Sequence, residues 1–439
     1  MKNEGTYNGG ENFDLRDILL NGRSVRLSER TAHFGDFLKS LQEQEHNLCM
    51  RCISSAADRE VEVVDQQFGR RRSMLMFGSN NYLGLATHPH VVNQASAALE
   101  SFGAGIGGPP LLNGYTTLHR DLEERLAAFK GAEDAMIFSS GYGANVGLVS
   151  GLTGRNDIIV YDAYSHASFC DGLKMSGAQA LMSSHNDVAH LRAMLEGASR
   201  RPHNDIFVGV EGVYSMDGDL APLDRILPLC NEYGAYLVLD DAHGTGVMGA
   251  HGRGTAEHFG LEGKIPITMG TFSKVFAVTG GFVAADKAIV DYLRYFGRSY
   301  MFSASLPPVV VATVLAGLDV LEREPERVDQ LHANIAYAAA AFRQIGFSTP
   351  SHSAIFPLRV PAGMDIRKAA RAFHERGIFV NSVEYPAVPV SQQRFRVSVM
   401  ATHTRRDIDR LIATIEEVWS LFAGDIMEAQ HETEQCNAA

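Results

Sequence analysis

The chain has 439 residues, 45% hydrophobic and 21% charged, proportions that exclude a disordered or fibrous protein and suit one large domain beside a smaller one. Its 39 basic and 51 acidic residues give a net charge of -12, which argues against a nucleic-acid surface. No apolar run approaches the about 20 residues of a spanning helix and the polar start has no signal-peptide core, so the sequence predicts a cytoplasmic protein without a membrane span.

Residues 1–75 read as an N-terminal extension, with a helix over Ala32 to Cys52 and a hairpin over Val61 to Met76. The five cysteines, an odd number, fit a reducing compartment better than a disulfide framework. Cys49 and Cys52 form a C-x-x-C three residues after His46. Continuous helix and no second ligand pair make them packing or surface cysteines, not a zinc or redox site. The stretch Gly78 to Gly84 follows, and then Pro89 opens a helix whose apolar positions Val91, Val92, Ala95, Leu99 and Phe102 recur at helical spacing up to Gly103. The loop GAGIGGPPLLNGY separates it from a helix over Leu118 to Lys130.

Strand and helix then alternate. Apolar strands are predicted at Ala135 to Phe138, Ile158 to Tyr161, Ile206 to Val210, Tyr236 to Leu239 and Ile265 to Met269, with helices between them. That alternation gives an α/β fold: a large domain, residues 76–320, with a mainly parallel sheet covered by helices on both faces and ligands at the strands' C-terminal ends. Past a boundary near residue 320 the pattern changes to a small α+β domain, residues 321–423. It contains a helix over Pro325 to Gly346, a strand over Ile355 to Val360, a helix over Ile366 to Gly377, strands over Ile378 to Val383 and Arg394 to Val399, and a helix over Asp407 to Phe422. The polar residues 424–439 read as a disordered tail.

Two strand ends carry the chemistry. One delivers Asp240, Asp241 and His243, the other Thr271, Ser273 and Lys274. A lysine just past an apolar strand is placed for partial desolvation, which lowers its pKa and favours an imine with a carbonyl partner. Taken alone, an ordinary strand-end lysine is the commoner outcome. Asp240 changes the balance, because a carboxylate facing a heterocyclic nitrogen makes the electron sink of pyridoxal phosphate chemistry. Asp240 and Asp241 could instead cap a helix or bind a metal, though only His243 and His251 stand nearby to complete a metal site.

Ser139 to Asn145 sits between a strand and a helix, where free N–H groups suit a phosphate; a tight turn is the plain alternative. His166 follows the strand Ile158 to Asp162 and could stack on a planar ring, or be structural. Arg394 and Arg396 alternate with Phe395 and Val397 and so share a face. One could clamp a carboxylate, or both could lie solvated with a salt bridge.

Together, GSNNYLGL, NGYTTLHRDLE, SSGYGANVG, YSHASFCDG, EGVYSMDGDLAPL, LDDAHGTGVMGAHGRG, GTFSK, MFSASLPP and RFRVSVMATHT resemble the α-oxoamine synthase family of fold-type I pyridoxal phosphate enzymes. The likeness runs from about Gly78 to Phe422. It implies pyridoxal 5'-phosphate as cofactor and no metal. It further implies decarboxylative condensation of an L-amino acid (serine, alanine or glycine) with an acyl thioester of CoA or a carrier protein, giving an α-amino ketone. Lys274 would carry the cofactor as an imine and move protons, Asp240 would face the pyridine nitrogen, His243 and Ser215 the ring hydroxyl, and His166 the ring face. Ser140, Gly141, Tyr142, Thr271 and Ser273 match cofactor-binding positions around the phosphate. Ser303 or Ser305 would reach it from the partner subunit of a homodimer with a shared active site. Arg396 and Asn80 match substrate-contacting positions. An aminotransferase or aldolase on the same fold, or a non-catalytic subunit, are the rival readings; the presence of Lys274 argues against the last.

The chain departs from relatives at Pro109-Pro110, where small polar residues are usual, and at Val275-Phe276-Ala277, where smaller residues follow the lysine. The resemblance therefore leads one to expect a reshaped cavity, with specificity set at Pro109-Pro110, Phe276 and the partner subunit.

Overall fold

A computed structural model describes residues 26–64, 69–348 and 352–438; the polar start lies outside them. Seven strands form the main sheet: β4 (Asp134–Phe138), β5 (Ile158–Asp162), β6 (Gln179–Ser183), β7 (Ile206–Glu211), β8 (Tyr236–Asp240), β9 (Ile267–Thr271) and β10 (Gly281–Ala285). Their order is β4-β10-β9-β8-β7-β5-β6. Neighbouring strands from β9 to β6 pair in parallel, and β10 alone runs antiparallel, between β9 and β4. Every residue of β7 is buried, as is every residue of β8 after Tyr236, which is why these strands are apolar on both faces.

Three strands precede the sheet: β1 (Cys52–Ile53), β2 (Glu60–Val64) and β3 (Arg71–Met76). The rest come from the C-terminal region: β11 (Ile355–Arg359), β12 (Ile378–Phe379), β13 (Asn381–Val383) and β14 (Arg394–Ser398). The expected hairpin is present as β2 and β3. The strand expected over Ile378 to Val383 is in fact two. β12 joins β3 in parallel, completing the sheet β1-β2-β3-β12, while β13 pairs with β14 in the sheet β11-β14-β13. Only Val380 separates them, so the chain changes sheets there. One core cluster runs from Leu75 and Phe77 through Phe276 and Val314 to Phe356, Phe395 and Phe422, so extension, sheet and C-terminal region share apolar packing.

Several expectations need correction. The first helix is Leu27–Glu43 and stops short of Cys49 and Cys52, both of which are exposed. Glu45 and Met50 take left-handed φ values of 56° and 54°, and the Asn47 side chain accepts from the Cys49 N–H at 3.3 Å, a local bond that competes with helix. The strand expected at Ile265 to Met269 runs instead over Ile267–Thr271, because Pro266 lacks the N–H a central strand donates. Residue 320 falls inside the helix Pro308–Arg323. The tail expected to be disordered is helical over Ala423–Ala438, in keeping with its Ala, Glu, Gln and Met content.

Local capping aims the elements that bear the site. The helix Gly141–Leu152 starts on Ser140, whose Oγ accepts from the Gly143 N–H at 2.9 Å. The helix Ala167–Ser176 starts on His166, whose ring accepts from the Ser168 N–H at 3.2 Å. Because β9 and β10 are antiparallel, with Thr271 opposite Gly281, the segment Phe272 to Gly280 that holds Lys274 is a loop closed at both ends.

Candidate active site

A cavity of about 510 Å³ lies at the C-terminal ends of the parallel strands. Of the residues singled out in the sequence, it brings together Asn80, Ser140, Gly141, Tyr142, His166, Ser215, Asp240, His243, Thr271, Ser273, Lys274 and Arg396. Ser303 and Ser305 are not among its walls; they line a separate small cavity with Pro110, Tyr115 and Tyr300.

At the centre, the Lys274 amine is held down to about 8 by burial, opposed by the neighbouring carboxyl groups of Asp240 first and Glu211 second. A lysine so placed is partly neutral near physiological pH and is a usable nucleophile. Asp240 is 6% exposed, and its oxygens are engaged by the Asn145 Nδ2 at 2.7 Å and the Ala242 N–H at 3.1 Å. Asn145 also donates to the Ser168 hydroxyl at 2.9 Å, and that hydroxyl lies 2.7 Å from His166 Nδ1. The Ser168 oxygen accepts from Asn145 and its N–H donates to the same Nδ1, so the hydroxyl proton also goes to Nδ1. His166 is therefore a neutral imidazole with its proton on Nε2. Burial and the nearby Lys274, against the pull of Asp240, hold that imidazole below its ordinary value.

His243 is 6% exposed, and burial, then Lys274 and Arg396, hold it well below the ordinary histidine range. Its Nδ1 lies 2.8 Å from the Tyr82 hydroxyl. Arg396 reaches across from β14 and is 5% exposed. It donates to the Ser215 carbonyl at 2.7 Å, the Asn80 side-chain oxygen at 3.0 Å and the Ser398 hydroxyl at 3.2 Å. All these partners are neutral. Arg394, by contrast, is fully buried and bonds Asp217 at 2.5 Å. Both arginines thus leave solvent, and only Arg394 is used up in an ion pair.

At the far end, Gly141 opens its helix against Thr271: a Cβ there would come within 2.6 Å of Thr271 Oγ1. Thr271 Oγ1 lies 2.9 Å from Ser273 Oγ. A side-chain-free helix start faced by two hydroxyls has the makings of an anion cradle. Tyr142 bonds Asp171 through its hydroxyl and is half exposed. Asp241, weighed above as half of a metal pair, belongs elsewhere: Lys130 Nζ lies 2.8 Å from it and Thr255 Oγ1 2.7 Å. Among the described residues no group of three or more His, Cys, Asp or Glu side chains could hold a metal ion.

Phe276 does not line the cavity. That ring is 1% exposed and packs against Phe272 and Gly317 in the core, whereas Met216, Asn381 and Val383 are among the cavity's walls. Pro110 borders the small cavity and not the large one. Sequence reasoning also missed Glu211, Tyr82 and Asn381, and it read Asn145 only as the end of a phosphate-suited stretch, whereas its side chain bonds Asp240. For Glu211 the signal was available, since it ends the apolar strand IFVGVE as Asp240 ends YLVLD.

Residues 72–415 match the family model "Aminotransferase class I and II". A serine palmitoyltransferase of Sphingobacterium spiritivorum is 40% identical over 396 residues, covering 90% of this chain and 97% of that protein. An 8-amino-7-oxononanoate synthase of Geotalea daltonii is 41% identical over 388 residues, covering 88% and 97%. Among solved structures, one of SPT with its PLP internal aldimine superposes with a TM-score of 0.84 at 32% identity, covering 90% of this chain and 99% of that one.

Proposed function

We infer that this chain, which belongs to the α-oxoamine synthase family of pyridoxal phosphate enzymes, condenses an L-amino acid with an acyl thioester, with loss of carbon dioxide, to give an α-amino ketone. It is a pyridoxal 5'-phosphate-dependent acyltransferase with the fold-type I architecture. The residues present fit that cofactor: an amine of lowered pKa for its aldehyde, a carboxylate for its ring nitrogen, and a side-chain-free helix start with two hydroxyls for its phosphate.

When bound, the cofactor supplies an electron sink for charge at the amino acid's α-carbon. In our reading Lys274 would hold the cofactor through its aldehyde and, with its lowered pKa, would accept the amino acid's α-proton on Nζ. Asp240, fixed by Asn145, would keep the ring nitrogen protonated. His166 would serve the ring face, and His243 with Ser215 the ring hydroxyl. Ser140, Gly141, Tyr142, Thr271 and Ser273 would hold the phosphate. Arg396 clamps the amino acid's carboxylate, with Asn80 beside it.

The observation that carries the reading is Arg396: a buried guanidinium with neutral partners only, in the same cavity as the lowered Lys274 amine. A cation in that position awaits an anion, and an amino acid brings its carboxylate within reach of the amine. We assign serine as the amino acid, as the name of the Sphingobacterium relative suggests. The 8-amino-7-oxononanoate synthase is equally similar, so alanine, also within the range the family resemblance implies, is the second reading. We take the cofactor-binding part to begin near residue 76 and the boundary to the small part, expected near residue 320, to lie at the end of the helix Pro308–Arg323. The working unit is a cytoplasmic homodimer in which Ser303 or Ser305 completes the phosphate site across the subunit boundary. Among the described residues no helix is long and apolar enough to cross a membrane.

The test is absorbance. Purified protein with pyridoxal phosphate shows a visible imine band that Lys274→Ala removes; a colourless protein overturns the reading. Glycine, alanine, serine and threonine are then added in turn with short and long acyl-CoAs, and thiol release identifies the pair. Serine alone supports the first assignment and alanine alone the second. Amino-group transfer without thiol release would mark an aminotransferase.

A further inference from the structure

Glu211 ends β7 directly beside Asp240 on β8, its register partner, so two carboxylates leave adjacent parallel strands side by side at the cavity. Glu211 is 4% exposed. Its Oε2 accepts from the Ser215 N–H at 3.3 Å, and the His166 N–H is turned towards the same carboxyl. One side chain therefore faces both the loop after β5 and the loop after β7. Oε1 has no hydrogen-bond partner among the described residues, though it is buried. Asp240 stands in contrast, with donors on both oxygens.

Two carboxylates this close in a dry site do not both ionise readily. The one surrounded by donors keeps the charge, and the one with a bare oxygen keeps the proton. The charged groups facing Glu211 are Asp240 from β8 and Lys274 from the loop after β9; burial first and Asp240 second push the Glu211 carboxyl well above the usual carboxylate range, against the opposing pull of Lys274 and the two N–H groups.

We propose that Glu211 is the proton-bearing member of this carboxylate pair: a positioning residue whose neutral carboxyl fixes the His166 and Ser215 loops, leaves Asp240 as the single negative carboxylate at the cofactor ring, and offers an O–H to an acceptor oxygen of the bound ligand. The part concerning the ring rests on the cofactor reading given above. The protonation itself does not, which lets the two be tested apart.

The first measurement uses the protein without cofactor. Infrared spectra near neutral pH show a protonated-carboxyl C=O stretch in the wild type that is missing from Glu211→Gln; a wild-type-minus-variant difference without that band overturns the proposal. The second uses the holoenzyme. Glu211→Ala, which leaves both N–H groups without an acceptor, lowers cofactor affinity and kcat/KM by roughly tenfold or more. Glu211→Gln, neutral and of the same shape, restores both to within about threefold. It also leaves the pH at which the visible band titrates in place, whereas removing a real negative charge would lower that pH by about one unit. A shift of that size, or failure of Gln to rescue, overturns the proposal. Should the protein bind no pyridoxal phosphate at all, the proposed function falls while the infrared band still decides the state of Glu211.

Discussion

The Asn145 side chain donates to Asp240 Oδ2 at 2.7 Å, and through the Ser168 hydroxyl it ties that carboxylate to His166. One amide thus orients an anion and a neutral imidazole together. Asn145→Ala removes the donor from a buried carboxylate, an effect of about 1–3 kcal/mol. Cofactor affinity and kcat fall by roughly tenfold to a hundredfold. Asn145→Asp falls further, because it adds a third carboxylate beside Glu211 and Asp240. Cofactor titration by absorbance and steady-state thiol release check both.

His185 is clamped between Asp162 and Asp219, each at 2.9 Å, and stacks on Tyr164 with ring centroids 4.0 Å apart. Burial pulls this imidazole down, but the two carboxylates outweigh it and raise it to about 9. A pKa raised on folding gives stability that is full below the unfolded value of about 6.5 and is lost as pH rises through 9. Urea denaturation from pH 6 to pH 10 therefore shows His185→Gln destabilised most at the acid end. The gap to wild type narrows by on the order of 3 kcal/mol across that range.

The Lys130–Asp241 pair is buried on both sides, with side chains 4% and 1% exposed. Lys130→Met strands the Asp241 charge and costs about 3–5 kcal/mol. Lys130→Met with Asp241→Asn recovers most of that loss. Both variants, refolded with cofactor, keep the wild-type visible spectrum, since Asp241 faces Thr255 and not the cavity. Chemical denaturation and absorbance supply the readings.

Phe276→Ala opens a core cavity and costs about 3–5 kcal/mol. It leaves the order of preference among amino acids unchanged, because the ring does not reach the cavity. Val383→Ala, in the cavity wall, alters KM for the amino acid with little loss of stability. A thiol-release panel run beside urea denaturation separates the two outcomes.

The parallel strands and the residues at their ends were legible because a strand buried on both faces is an unbroken apolar run that stops at a polar residue. The same rule extends to Glu211, which went unnoticed because a single acid with no neighbouring motif resembles any strand terminus. β6 escaped notice as a mostly exposed edge strand, and β10 because GFVAA begins on the second glycine of the pair Gly280-Gly281, which reads as a turn. The split of Ile378–Val383 into two sheets lies beyond local pattern, since only the partners β3 and β14, distant in sequence, decide it. Phe276 was misplaced for a related reason: adjacency to Lys274 in sequence says nothing of which way a side chain turns when Ala277 takes a left-handed φ of 54° next to it.

The antiparallel insertion of β10 has a consequence for what the chain can tolerate. Thr271 and Gly281 are paired across the mouth of the loop, and the Phe272 N–H bonds the Gly280 carbonyl at 3.0 Å, so that loop has no slack to distribute. Adding one residue between them would displace the amine of Lys274 itself. The connection Gly260 to Lys264 leads into β9 from outside, and an insertion there has solvent to expand into. Along this stretch, then, the freedom to lengthen over evolutionary time ends where β9 begins.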